Sequence, residues 1–145
     1  MVDVFLYGGI GIDNLVYVPF MHTPARHVVP TRDVYQIGGG GVHAALWLAT
    51  WGVSVRIAGN SLGMDADGDR VMGWLAMYPC IDTSMIVRSP DRITPFIRAL
   101  ITPDGDRTMI AYWYFDGPWS PITPEAIDGA KVFGLNIYGG HEHMG

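Results

Sequence analysis

Short β-rich runs and longer helical ones alternate along these 145 residues. "VDVFLY", residues 2–7, is apolar and stops at Gly8-Gly9, which predicts a buried strand feeding a turn. "LVYVPFM", 15–21, reads as a second extended piece with Pro19 marking an edge, and "DVYQI" from Asp33 as a third, beyond a connection punctuated by Pro24 and Pro30. Gly41 to Trp51 reads as a helix rich in Ala and Leu, with Gly52 where a left-handed C-terminal cap belongs. Its polar side chains are His43 and Thr50, seven residues apart and so on one face. The rest is apolar all round, which predicts burial on most sides. "VSVRIAG", 53–59, alternates as a strand, and "DADGDRVMGWLAMY" predicts a second helix starting near Asp67 or Gly68.

"TPFIRALITPDGDRTMIAYWYF" is two β-rich runs around Pro103-Asp104-Gly105-Asp106, a hairpin signal. Thr123-Pro124-Glu125 then has the N-cap, first-turn proline and acidic first turn of a short helix, followed by the strand "KVFGLNIY". Strand–helix punctuation with an inserted hairpin predicts an α/β layer carrying a small separate β element.

Composition narrows the classes. Charged residues make up 16%, well under the usual quarter, the formal net charge is −5, and there is no Lys/Arg cluster. Nucleic acid and anionic membrane surfaces are therefore excluded as expected partners. The lone Cys80 rules out an internal disulfide and multi-cysteine zinc patterns, and is expected to be a buried thiol in a reducing cytoplasm. The N-terminus has no basic leader and carries Asp3 inside its apolar run, unlike a signal peptide. From Val34 to Val55 there are 22 residues without a formal charge, but the stretch holds Gln36, His43 and five glycines, so a membrane span is not expected.

Four consecutive glycines, Gly38 to Gly41, open the first helix. Such a loop presents free N–H groups and lets a ligand touch backbone; equally, it permits close packing of helix on strand. It lacks the Gly-Lys-Ser/Thr of a phosphate-cradling P-loop. His43, in the first helical turn, reads either as a satisfied buried side chain or as a site residue on the helix's polar stripe. "GGIGIDN" departs from the dinucleotide fingerprint, since Asp13-Asn14 follows Gly11 and the next segment looks extended. The plain reading is a tight strand-to-strand turn. The sharper one sets Asp13 at the end of a buried strand, facing the crevice where open α/β sheets bind ligands. "MDADGDR" fails as a calcium loop, with Arg70 in place of the invariant glycine and Ala76 in place of the bidentate glutamate, and reads as a helix cap. His141 and His143 are two ligands at a chain end, which reads as a solvated tail.

Taken in order, "GGGGVHAALWLATWG", "VSVRIAG", "GNSLGMDADG", the Gly8-to-Asp13 spacing, "CIDTSMIV" and "RITPFIRALITPDGDRTMI" with its Thr94 resemble the N-terminal half of the ribokinase/PfkB family of sugar and nucleoside kinases. The resemblance implies a Rossmann-like sheet flanked by helices with a small β-sheet lid, the whole of 1–145 forming one N-terminal portion with lid segments at about 14–37 and 84–115. It implies transfer of the γ-phosphoryl of ATP, with Mg²⁺, to a hydroxyl. On this sequence it assigns Asp13, Gly38, Gly39 and His43 to the sugar or nucleoside. Asp13 accepts from hydroxyls, the glycines present N–H groups, and His43 stands where the family has asparagine. Gly40 replaces a lysine of some members, and Gly11 a polar residue seen in ribokinases. It further implies possible pairing of lids between two copies. The family's Gly-Ala-Gly-Asp anion hole and catalytic base have no counterpart in these residues. The expectation is a truncated or fragmentary kinase half that binds acceptor, lacks the ATP site and is inactive by itself, with no catalytic residue of its own. A non-catalytic sugar-binding or dimerising module and, more remotely, a nicotinamide-dependent oxidoreductase stand as alternatives.

Overall fold

A computed structural model describes residues 2–112 and 119–136. The tail histidines 141 and 143, and the last residues of the expected hairpin and final strand, lie outside them. The described chain runs β1 (Val2–Gly8), β2 (Gly11–Tyr17), β3 (Arg32–Gly38), α1 (Gly40–Thr50), β4 (Val55–Gly59), β5 (Leu62–Gly63), α2 (Ala66–Leu75), β6 (Ile81–Asp82), β7 (Arg88–Ser89), β8 (Phe96–Ile101), β9 (Arg107–Tyr112), α3 (Pro124–Ile127) and β10 (Ala130–Asn136).

The first sheet has the order β10-β1-β4-β6 and its pairs are all parallel. Its central strands are covered on both faces, which is why "VDVFLY" is apolar almost without interruption. Leu6, Val55 and Ile57 face Val42, Ala45 and Ala49 of α1 and Val71 and Leu75 of α2. Phe5, Tyr7 and Ala58 face Ala126 of α3. The second sheet, β3-β2-β8-β9, joins two antiparallel pairs through a parallel β2–β8 contact. The β8–β9 hairpin turns where expected, with Gly105 at φ 85° and Thr102 N–H donating to Asp106 O at 3.0 Å. This is the α/β layer with a small separate β element that the sequence predicts. Two-stranded β5–β7 completes the described pairings of named strands.

Four expectations change. The second extended piece begins at Gly11, not Leu15, because both edges of β2 are paired from its first residues. Asp13 therefore sits inside β2 rather than at the end of β1. α2 starts at Ala66, since Asp65 caps it by accepting from Gly68 N–H at 2.7 Å. α1 is not buried on most sides: one face meets β1 and β4, leaving Trp47 and Trp51 exposed at 65% and 73%. Cys80 is half-buried, its Sγ 3.8 Å from Ala49 O. At the other edge of the first sheet, Val132, Phe133 and Leu135 of β10 stay exposed. No helix among the described residues is long and apolar enough to cross a membrane.

Candidate acceptor site between the two sheets

The glycine quartet divides into two kinds of position. Gly41 packs on β1: a Cβ there would come within 2.8 Å of Gly8 Cα and C. Gly39 adopts φ 100°, and a Cβ would strike the Gly9 carbonyl. These two serve close helix-to-strand approach. Gly38 and Gly40 instead face side chains. A Cβ on Gly38 would collide with the Asp13 carboxylate, and one on Gly40 with the Asn136 carboxamide at the end of β10. The close-packing reading of this run holds at Gly39 and Gly41, while Gly38 and Gly40 make room for neighbouring side chains.

The second sheet hangs Asp13 over the helix start. Asp13 lies opposite Gln36 on β3 and Ile97 on β8, and its side chain retains 20% exposure. Burial raises its pKa above the ordinary 3.8, an effect partly offset by the nearby His43. His43 Nε2 stands 4.0 Å from Asp13 Oδ2 and 3.1 Å from Ile37 O. The ring's Nε2–H donates to that carbonyl, leaving Nδ1 free to meet a ligand. His43 is thus half-exposed and tethered to β3, rather than buried in the core.

α1 begins here with Gly39 as its N-cap residue and, among the described residues, no side-chain cap hydrogen bond. Free N–H groups at a helix start are donors for a ligand's oxygens. The site therefore offers a carboxylate acceptor and an imidazole opposite backbone donors, a combination suited to neutral polyhydroxylated molecules. A narrow crevice of only about 10 Å³, room for about one water, lies behind Asp13, between the β1–β2 turn, Gly39, Pro95 and Ile97.

Asn60 is a residue the sequence reading passed over. It is 2% exposed, accepts from Ile10 N–H at 2.8 Å and donates to Ile10 O at 2.9 Å, holding the β1–β2 turn that aims Asp13. Only its place in "GNSLGMDADG" pointed to it. Asn14, fully buried beside Asp13, accepts from Arg98 Nε at 2.8 Å and donates to the Asp33 carboxylate, tying β2, β3 and β8 together. Thr94 joins the two parts from below, donating from its backbone N–H and Oγ1 to Asp65 at 2.8 and 2.6 Å and accepting from Gly63 N–H at 3.0 Å.

No family model matches the chain, and no curated protein matches it. Solved structures do. A putative ribokinase from Agrobacterium tumefaciens superposes with a TM-score of 0.74 at 23% identity, over 87% of this chain and 41% of its own. A PfkB protein from Polaromonas sp. JS666 gives 0.69 at 21%, over 92% and 44%. A ribokinase from Cryptococcus neoformans var. grubii serotype A, in complex with ADP, gives 0.65 at 21%, over 77% and 33%. The fold is accordingly that of the ribokinase/PfkB carbohydrate kinases, as the ordered motifs implied, and the chain spans about two fifths of the first of these structures.

Proposed function

We propose that these residues form the acceptor-binding part of an ATP-dependent kinase for a sugar or nucleoside hydroxyl, with Asp13, the N–H groups around Gly38 and Gly39, and His43 as the grip on the acceptor. One observation carries the reading: the Asp13 carboxylate and the uncapped start of α1 meet across Gly38, acceptor against donors. The second sheet is read as the lid over that site.

The residues gathered here do not suit ATP and Mg²⁺. Asp13 faces the helix start and repels a phosphate. No step through the nucleotide is derived from them, because phosphoryl transfer needs charge stabilisation and a positioned base. The chain's own chemistry is to bind and orient the acceptor hydroxyls. Titration with ribose, fructose and uridine tests this. Millimolar binding lost in Asp13→Ala supports the reading, and binding indifferent to Asp13 overturns it. Turnover of ATP by these 145 residues alone would overturn the assignment to acceptor binding only.

A second reading, a sugar-binding module that pairs through its lid, is favoured by the exposed Tyr35, Met109, Ile110 and Tyr112 on the lid sheet. Sedimentation velocity separates it: a dimer dissociated by Met109→Lys and Ile110→Lys supports lid pairing, and a monomer at all concentrations removes it. The dinucleotide reading draws no support from the local geometry, since Gly11 opens a strand rather than a helix.

A further inference from the structure

On the lid side of His43 a cleft of about 300 Å³ opens between α1 and β3, lined by Gln36, Ile37, His43, Leu46, Trp47 and Thr50. It adjoins the Asp13 site in two ways. Gln36 is the cross-strand partner of Asp13, so both side chains stand on one face of the lid sheet. His43, 4.0 Å from Asp13, forms the wall between them. Trp47 follows His43 by one helical turn, on the same face of α1, with its indole 65% exposed.

Resting on the reading of Asp13 as the acceptor grip, we infer that this cleft is a subsite for the base of a nucleoside, stacked on Trp47 while Asp13 holds the ribose hydroxyls. The chemistry of the walls selects that occupant. An exposed indole offers a flat face for a heteroaromatic ring. Gln36 brings an amide with both donors and an acceptor to meet a base edge, and Thr50 adds a hydroxyl at the far end. Among the described residues no Lys or Arg lines the cleft, and the chain's formal charge is −5, so an anionic substituent, such as the phosphate of a sugar phosphate, finds no cation among them.

The experiment compares uridine with ribose on the full chain by calorimetry and ligand-observed NMR. Uridine is expected to bind more tightly than ribose. Trp47→Ala weakens uridine about tenfold, as loss of a base-stacking aromatic does, and leaves ribose within twofold. Trp47→Phe restores most of the uridine affinity. Trp51→Ala, outside the cleft, changes neither. Asp13→Asn weakens both ligands. If uridine and ribose bind alike and Trp47→Ala moves neither while Asp13→Asn still weakens both, the base subsite is overturned and the acceptor grip stands. If neither ligand binds, both fall. A concentration-dependent dimer abolished by Trp47→Ala, without selective uridine binding, assigns the patch to a second copy and overturns the subsite.

Discussion

Gly38 of β3 and Asp13 of β2 share one volume: the carboxylate occupies the space a side chain at position 38 would need. The glycine is what lets the acid lie flat against the start of α1. Gly38→Ala therefore displaces Asp13. Losing a hydrogen bond to a charged group costs about 1.5–3 kcal/mol, so acceptor affinity should fall about tenfold or more. Overpacking adds a stability loss of about 1–3 kcal/mol. Titration and thermal melting read the two effects separately. Unchanged affinity would show that the contact is steric filling and nothing else.

Asp13 also has a thermodynamic signature. Burial raises its folded pKa above the ordinary 3.8, so the folded state favours the protonated acid. Its contribution is fully present below the unfolded value and is lost as pH rises through the folded one. Asp13→Asn is accordingly expected to be more stable than the native chain at pH 7, with the advantage vanishing below about pH 3.8. Melting temperatures across pH 3 to 7 check this. A variant less stable than the native chain at neutral pH contradicts it.

Asp65 behaves in the opposite sense. Burial alone would raise its pKa, but hydrogen bonds from Thr94 and Gly68 and the charge of Arg88 outweigh that and hold it below the ordinary value. Its stabilisation is present above the unfolded pKa near 3.8 and disappears as pH falls through the lower folded value. Asp65→Ala removes the cap of α2 and leaves the buried Thr94 hydroxyl short of a partner, for a loss of about 2–3 kcal/mol at pH 7. That deficit should shrink in acid denaturant titrations, and a pH-independent deficit would point away from the carboxylate.

Two helical glycines should respond with opposite signs. Gly41 has Gly8 backbone 2.8 Å from where its Cβ would stand, whereas Gly73, exposed on α2, has nothing within 4 Å. Gly41→Ala is expected to cost about 1–3 kcal/mol, and Gly73→Ala to stabilise by about 0.5–1 kcal/mol. Chemical denaturation measures both. Equal effects would mean that propensity, not the seam with β1, governs position 41.

The parts legible in the sequence were those written in local pattern. The "VDVFLY" and "VSVRIAG" strands, the hairpin around Gly105 and the Thr123 cap follow from short-range rules and appear where expected. Asp13, Gly38 and His43 were drawn together by motif order, and the structure brings them to one place. What escaped depends on non-local pairing. The β2–β8 contact spans some eighty residues of chain and leaves no periodic trace, so the early start of β2 looked like a turn. Asn60 stands in a short polar break, and its two bonds to Ile10 exist only once β1 and β4 are side by side. The exposure of Trp47 and Trp51 was hidden by a helix that is apolar all round outside its His43–Thr50 stripe.

The seam where Gly8 meets Gly41 gives this scaffold an asymmetry in how it can change. Main chain touching main chain leaves no side chain to trim or enlarge, so the floor beneath the proposed site offers almost nothing to vary. On the proposed reading, diversification toward new substrates has to come from the rim at positions 13, 36, 43 and 47, where single substitutions alter chemistry without disturbing the joint below. A library confined to those four positions would explore specificity while leaving the backbone scaffold as it is.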